Sequence, residues 1–146
     1  SFIMKRFLAI FAVLLVAAVS VSATAGPKLD GVKCPLSGKP VKADKSVDFK
    51  GGKVFFCCDN CPKAFDAKKH APKGNHQLVQ TGQFKQIKCF LAGRPVDSTK
   101  TVDAAGVKVG VCCGGCLGKL KAAEDKVAFA FNDAAFAKGF AAAKKK

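Results

Sequence analysis

All eight cysteines of the chain fall into two identical frames, and no other feature of the sequence constrains the fold so strongly. In each frame a cysteine stands 23 residues before a Cys-Cys pair, and a fourth cysteine follows the pair after two intervening residues. Thiolates at fixed spacings around a turn bind soft metal ions or form a disulfide framework. The candidate metal ligands are Cys34, Cys57, Cys58 and Cys61 in the first frame and Cys89, Cys112, Cys113 and Cys116 in the second.

The two frames belong to an internal repeat with an offset of 55 residues. Residues 33–66 align with residues 88–121 without a gap, and 15 of the 34 aligned positions are identical. Such self-similarity indicates that one structural unit has been duplicated. A unit of about 50 residues buries too little apolar surface to be stable without a metal ion or disulfides. We therefore predict two tandem cysteine-cluster units, residues 26–80 and residues 81–146.

The first unit begins with the pattern of a tight turn followed by a β-hairpin. The turn runs from Cys34 to Gly38, which is free to take positive φ, and it can direct backbone N–H groups at the Cys34 sulfur. Residues 46–49 and 53–56 flank a Lys-Gly-Gly turn and alternate as hairpin strands do. A hairpin that ends at the Cys-Cys pair would bring the second and first cysteines of the frame together.

A helix and a returning strand are predicted for the rest of the first unit. The helix covers residues 62–69, with Ala64 and Phe65 as its buried side chains, and the Pro- and Gly-containing residues 70–74 end it. Residues 76–80 then form a strand. This order places the last cysteine of the frame at the start of the helix.

The second unit repeats this plan and extends it. The hairpin is predicted over residues 102–109, and a helix is predicted over residues 116–126. Residues 127–131 are predicted to form a strand, because large and small side chains alternate along them. Asn132 can cap a final helix over residues 133–143. The predicted fold class is therefore α+β.

The elements predicted in the first unit direct its cysteines at a common point. Cys58 and Cys61 open a helix, where free N–H groups and the helix dipole favour thiolates. Four thiolates form a closed tetrahedral zinc site, and soft sulfur also suits Cu⁺ or another soft heavy metal. Adjacent residues of an extended segment point apart, so Cys57 and Cys58 bind one ion only if the chain turns between them. Otherwise Cys34, Cys57 and Cys61 form the site, with water or His70 as a fourth ligand.

The spacing of Cys34, Cys57 and Cys61, repeated in the second frame, resembles the cysteine pattern of the TRASH domain and of the related YHS domain. Residues 51–65 are also similar to the YHS arrangement of two aromatic residues before a cysteine and a phenylalanine after the last one. The resemblance implies two tandem treble-clef-like units, each a β-hairpin plus a helix, that bind metal ions. It also implies a role in heavy-metal trafficking or resistance.

A fourth cysteine in each repeat, Cys58 and Cys113, is additional to the three-cysteine pattern of these families. The two copies differ at most aligned positions, yet both keep this cysteine in the same place. We therefore hypothesise that Cys58 and Cys113 complete four-thiolate sites.

The first 25 residues have the three-part pattern of a secretory signal peptide. Lys5-Arg6 is a positive start, residues 7–19 are apolar, and small residues lead to Ala25. The apolar part is short for a membrane span of about 20 residues. We predict cleavage of residues 1–25, export to the periplasm or the extracellular space, and no stable membrane insertion afterwards. The alternative is a retained N-terminal anchor.

Three other functions compete with metal binding. Export to an oxidising compartment favours a structural disulfide protein, and the two Cys-x-x-Cys pairs would suit a thiol–disulfide oxidoreductase. The formal charge of +15 permits nucleic-acid binding, but no aromatic and basic binding face is evident, so no nucleic-acid partner is expected. No acid–base pair, nucleophile triad or phosphate loop is visible, and we expect no enzyme. Metal ions are the predicted partners, and the sequence identifies no protein partner.

Overall fold

The computed structural model describes residues 26–143, so the predicted signal segment lies outside the described residues. Within them the chain forms small antiparallel sheets and short helices, which confirms a mixed α+β fold. The elements are β1 (Lys42–Phe49), β2 (Gly52–Phe56), α1 (Asn60–Ala64), α2 (Ala71–Gln80), β3 (Phe84–Gln86), β4 (Asp97–Ala104), β5 (Val107–Val111), α3 (Gly114–Ala122), α4 (Lys126–Phe131), α5 (Asp133–Gly139) and β6 (Phe140–Ala142).

Both predicted hairpins are present, β1 with β2 and β4 with β5. Each two-residue turn has two consecutive positive φ angles, 49° and 79° at Lys50 and Gly51, and 51° and 88° at Ala105 and Gly106. Two such residues match the right-handed twist of the flanking strands, which is the reason that hairpins favour this turn. The chain accepts the strain of a non-glycine residue in this conformation at the same position of both repeats.

Glutamine side chains pair with the outer edge of the hairpins, next to the strand ends that carry Cys57 and Cys112. Gln77 accepts a hydrogen bond from the Phe55 N–H at 2.6 Å and donates one to the Phe55 carbonyl at 2.9 Å. Gln86 makes the same two bonds to Gly110, at 2.8 Å and 2.7 Å. A side-chain amide thus replaces a neighbouring strand and satisfies backbone groups that would otherwise be unpaired.

The helix predicted over residues 62–69 is shorter and starts earlier. α1 ends at Ala64, which is exposed, and Phe65 is extended and half-buried. The following turn is closed by the Asp66 carboxylate, which accepts hydrogen bonds from the N–H groups of Lys68 and Lys69 at 2.8 and 2.9 Å. When an aspartate side chain accepts hydrogen bonds from the backbone N–H groups two and three residues ahead, it offers the backbone an alternative to the hydrogen bonds of a helix. The helix therefore does not continue through this segment.

The strand predicted over residues 76–80 is wrong, because this segment belongs to helix α2. Pro72 lies in the first turn of α2, where a proline is tolerated because its missing N–H would have no partner. Gly74 lies inside the helix, and a Cβ there would meet the Phe49 ring at 2.9 Å. Residues 70–74 therefore start a helix that packs closely on the first hairpin, and they do not terminate one.

The strand predicted over residues 127–131 is also wrong, because this segment forms helix α4. Asp125 caps it by accepting a hydrogen bond from the Ala128 N–H at 2.9 Å. Asn132 caps α5 as predicted, through the Ala135 N–H at 2.9 Å, but that helix ends at Gly139 and β6 follows. Helix α3 begins two residues earlier than predicted and ends at Ala122.

The two units share one apolar core. α2 packs against α4, and buried residues from both repeats form a single cluster. Asn75, fully buried on α2, donates to the Phe131 carbonyl at 2.7 Å and to the Asp133 carboxylate at 3.1 Å. The hydrogen bonds and the apolar contacts therefore both cross from one repeat to the other.

Strands β3 and β6 complete the contact between the repeats as an antiparallel pair. Lys85 pairs with Ala141, and Gln86 pairs with Phe140. At the offset of 55 residues Lys85 is equivalent to Phe140, and Gln86 is equivalent to Ala141. Exchanging the two repeats therefore turns one pair into the other, so the ladder is symmetric with respect to the repeat. Among the described residues no helix has the length and apolar character that crossing a membrane requires.

Candidate metal centres

Three cysteine sulfurs converge in each unit. Within each group the three sulfur atoms all lie within 4.8 Å of one another. The two groups are Cys34, Cys57 and Cys61, and Cys89, Cys112 and Cys116. The spacing frames of the sequence predicted both groups, and no cysteine of one repeat enters the group of the other.

A tight turn presents the first cysteine of each group. The Cys34 N–H donates to the Lys39 carbonyl at 2.8 Å, and the Gly38 N–H returns to the Cys34 carbonyl at 2.9 Å. Gly38 has a φ of +71°, which confirms the predicted turn. The second unit repeats it, with the Gly93 N–H donating to the Cys89 carbonyl at 2.8 Å. Both turn cysteines are buried, so their sulfurs point inward, toward the end of the adjacent hairpin.

The other two members come from the strand end and the helix that follows it. Cys57 comes directly after β2, the chain bends, and Cys61 lies in the first turn of α1. The Cys57 and Cys61 sulfurs are 3.8 Å apart, and those of Cys112 and Cys116 are 3.9 Å apart. A tetrahedral ion with Zn–S bonds of about 2.3 Å holds its sulfurs about 3.8 Å apart. These separations therefore fit the edge of a zinc–thiolate tetrahedron.

The fourth cysteines lie beside these groups. The Cys58 sulfur is 3.4 Å from the Cys61 sulfur, because the chain bends after Cys57, but Cys58 is outside the mutually close set. Cys113 is exposed at the start of α3. The hypothesis that Cys58 and Cys113 complete four-thiolate sites therefore stays a prediction.

The turn of the first unit stabilises the Cys34 thiolate. Burial acts to raise the pKa of Cys34, but hydrogen bonds from the Ser37 side chain and from the N–H groups of Ser37, Leu36 and Cys57 outweigh it and lower the pKa to about 6. The pKa of Cys89 is also lowered, because hydrogen bonds from the N–H groups of Ala92, Cys112 and Leu91 overcome the effect of burial. Cys34 is therefore a thiolate at neutral pH, and the hydrogen bonds at Cys89 act in the same direction.

The last cysteine of each group, Cys61 or Cys116, holds its proton more tightly. The hydrogen bond with Cys58, followed by burial, raises the pKa of Cys61 to about 12. Burial, followed by hydrogen bonds with Cys113 and Cys112, raises the pKa of Cys116 to about 12. Close sulfurs cannot all carry negative charge without a compensating cation. A bound cation would displace these protons and neutralise the group.

One residue distinguishes the first centre from the second. The Ser37 hydroxyl lies 3.0 Å from the Cys57 sulfur and also bonds to Cys34. The aligned residue of the second turn is Ala92, which has no hydroxyl. The sequence analysis did not identify Ser37 as a functional residue. The sequence feature that could have identified it is the replacement of Ser37 by Ala92 between two otherwise similar turns.

Neither histidine belongs to the sulfur groups. His70 accepts a hydrogen bond from the Asp66 N–H at 3.0 Å and stacks on Phe65, with ring centroids 5.8 Å apart. His76 is buried and bonds to the Ala104 carbonyl at 2.8 Å. His70 thus supports the turn before α2 and is not brought to the cysteines as a fourth ligand.

Comparison with known proteins identifies no relative. No protein-family model matches the chain, and no curated protein or solved structure is significantly similar to it. The two sulfur groups of the chain therefore provide the main support for a candidate function.

Proposed function

We propose that the protein binds soft metal ions, one in each repeat, through three cysteine thiolates. The observation that carries this proposal is the convergence of three sulfurs within 4.8 Å of one another in each repeat, with the Cys57–Cys61 and Cys112–Cys116 pairs at the metal-like separations of 3.8 Å and 3.9 Å. Three thiolates on a turn, a strand end and a helix start form a rigid set of soft donors. Because the set occurs twice at the same repeat positions, each unit has its own centre.

Zinc is the ion that we propose first, and Cu⁺ or another soft heavy metal is the alternative. Tetrahedral zinc accepts three thiolates and a fourth ligand, which can be water. A centre with three protein ligands leaves one coordination position open to an incoming donor. Such a centre suits the transfer of an ion between proteins, as trafficking or metal resistance requires.

The wider setting of the proposal comes from the sequence. The resemblance to TRASH and YHS domains supports a metal-trafficking or resistance role, with each hairpin and helix acting as a treble-clef-like unit. The N-terminal pattern supports export, so we propose a periplasmic or extracellular protein without a stable membrane anchor. Mass spectrometry of protein isolated from the producing cells tests export. We expect a chain that starts at Gly26, and a membrane-bound chain that retains residues 5–20 would contradict this expectation.

Native mass spectrometry of the full chain tests metal binding. Reduced protein supplied with zinc should carry two ions, because each repeat supplies one centre. Cys61→Ser and Cys116→Ser should each carry one ion, and the double variant none. A second sample, isolated without reduction, tests the alternative, because zinc-free protein that lacks the thiol hydrogens would indicate a structural disulfide framework.

A further inference from the structure

A close sulfur–sulfur contact in the first unit joins a member of the metal group to a cysteine outside it. Cys58 lies 3.4 Å from Cys61, whereas Cys57, within the group, lies 3.8 Å from Cys61. Cys61 thus faces both the metal centre and a thiol that the three-sulfur set does not use. This arrangement gives Cys61 two mutually exclusive partners, a metal ion and the Cys58 sulfur.

The Cys58–Cys61 pair is well placed to close into a disulfide. A disulfide needs its sulfurs about 2.0 Å apart, so small side-chain rotations suffice from the present 3.4 Å. Cys58 precedes α1 and Cys61 lies in its first turn, which is the Cys-x-x-Cys arrangement of dithiols that oxidise reversibly. Cys57 is a poorer partner for Cys58, because adjacent cysteines close only a strained ring.

We propose that Cys58 and Cys61 form a redox switch that releases the metal ion of the first centre. This inference rests on the proposed metal-binding function. When Cys61 is tied to Cys58, only two thiolates, Cys34 and Cys57, remain for the ion. Two thiolates hold zinc far more weakly than three, so oxidation converts a binding site into a donor site.

The chemistry uses a small disulfide, such as oxidised glutathione, as the oxidant. The Cys58 sulfur attacks the oxidant, forms a mixed disulfide and expels one thiol. Cys61 then attacks the Cys58 sulfur and expels the second thiol. The two cysteines lose two electrons in total; Cys58 gives up its proton, Cys61 has already lost its own on binding the metal, and a second proton from solvent completes the reduction of the oxidant to two thiols. The zinc ion leaves with its oxidation state unchanged. Cys58 can start this sequence while Cys61 is bound to metal, since Cys58 is not a member of the three-sulfur group.

The second unit provides a matched comparison. Cys113 and Cys116 repeat the spacing, and Cys113 is exposed to solvent. We therefore expect the same switch there, operated by Cys113. Each fourth cysteine should control only the ion of its own unit.

The test uses the zinc-loaded full chain and its Cys58→Ser, Cys113→Ser and double variants. Zinc content is measured first by native mass spectrometry, and oxidised glutathione is then added with a chromogenic zinc chelator. We expect the wild type to release two ions, each single variant one and the double variant none. Peptide mapping should find disulfides between Cys58 and Cys61 and between Cys113 and Cys116.

Several outcomes would overturn the switch. Release from Cys58→Ser at the wild-type rate would do so, as would a disulfide that joins Cys57 to Cys61. A Cys58→Ser chain that cannot load its first ion would make Cys58 a ligand and not a switch. A wild type that loads two ions and keeps them in oxidant contradicts the switch alone, whereas one that never loads zinc contradicts the proposed function as well.

Discussion

His76 and Phe131 occupy the same position in the two repeats, and their rings meet edge to face with centroids 5.1 Å apart. Both side chains are buried, one on α2 and the other on α4. Contact between equivalent positions means that the repeats are related by an approximate two-fold axis at this point. The contact closes the shared core, so neither unit keeps its packing without the other.

Truncation of Phe131 tests the shared core. Phe131→Ala should lower the free energy of unfolding by about 3–5 kcal/mol, because it leaves a cavity between α2 and α4. Hydrogen exchange should report loss of amide protection in both hairpins. Unfolding followed by circular dichroism should show a single transition. Ile87→Ala is the matched control, since Ile87 is 47% exposed, and it should change stability by no more than about 0.5 kcal/mol. Protection lost only in the second hairpin would argue against a common core.

The buried His76 should make the fold sensitive to mild acid. Burial lowers its pKa against the opposing effects of the Ala104 and Ala105 carbonyls and the Asp103 carboxylate. Below about pH 6.5 the unfolded chain takes up a proton that the folded chain refuses, so stability falls as the pH drops from 7 to 5. His76→Gln keeps a donor for the Ala104 carbonyl and should flatten this dependence. Denaturant titrations of zinc-free, reduced protein at each pH measure the free energy of unfolding. Equal dependence of this free energy on pH in the wild type and in His76→Gln would exclude His76 as the cause of the acid sensitivity.

The Ser37 hydroxyl should set the pH at which the first centre releases its ion. Ser37→Ala removes a hydrogen bond that lowers the pKa of Cys34, so protons compete with zinc up to a higher pH. Because a hydrogen bond to a charged group contributes about 1.5–3 kcal/mol, the pKa of Cys34 should rise by about one to two units, and the pH midpoint of zinc release should rise with it. Chelator-monitored acid titrations in a Cys116→Ser background isolate the first centre.

The aligned residue of the second turn provides the reciprocal control. Ala92→Ser, measured in a Cys61→Ser background, should move zinc release from the second centre to lower pH. Unchanged midpoints in both experiments would show that the hydroxyl does not act on the bound thiolates.

Single serine variants test which cysteines bind the ion. Loss of outer-shell partners weakens metal affinity by about 10–100-fold, so loss of a direct ligand in Cys61→Ser should cost more than about 100-fold. Cys58→Ser should cost less than about 10-fold, because Cys58 lies outside the three-sulfur group. Competitive zinc titration against a chelator in a Cys116→Ser background measures both. Equal losses would instead support the closed four-thiolate site that the sequence suggests.

The sequence predicted the parts of the molecule whose geometry is determined locally. Gly38 and the hairpin turns need positive φ, which marks them in the sequence. The regular spacing of the cysteines predicted that sulfurs of one frame meet within each repeat, and the three that do meet are the set that the sequence offered as the alternative to four thiolates. The turns depend on a few neighbouring residues, and the cysteine groups depend on a spacing that is visible in the sequence.

The two helices α2 and α4 could not be predicted in the same way. Pro72 and Gly74 end many helices, but here one lies in the first turn and the other faces the Phe49 ring. The alternation of residues 127–131 is typical of a strand over so short a segment. The packing of α2 on α4 decides the outcome in favour of helices, and tertiary contacts of this kind are not visible in local patterns.

The symmetric ladder between β3 and β6 has a consequence for how the two repeats can differ. Two separate copies of one repeat would complete each other's strand edge around a two-fold axis, but every substitution would then appear on both sides of that axis. Because both repeats belong to one chain, each side of the axis can carry its own residue. His76 therefore faces Phe131, and Ser37 bonds to Cys57 where the second turn has Ala92 and no hydroxyl.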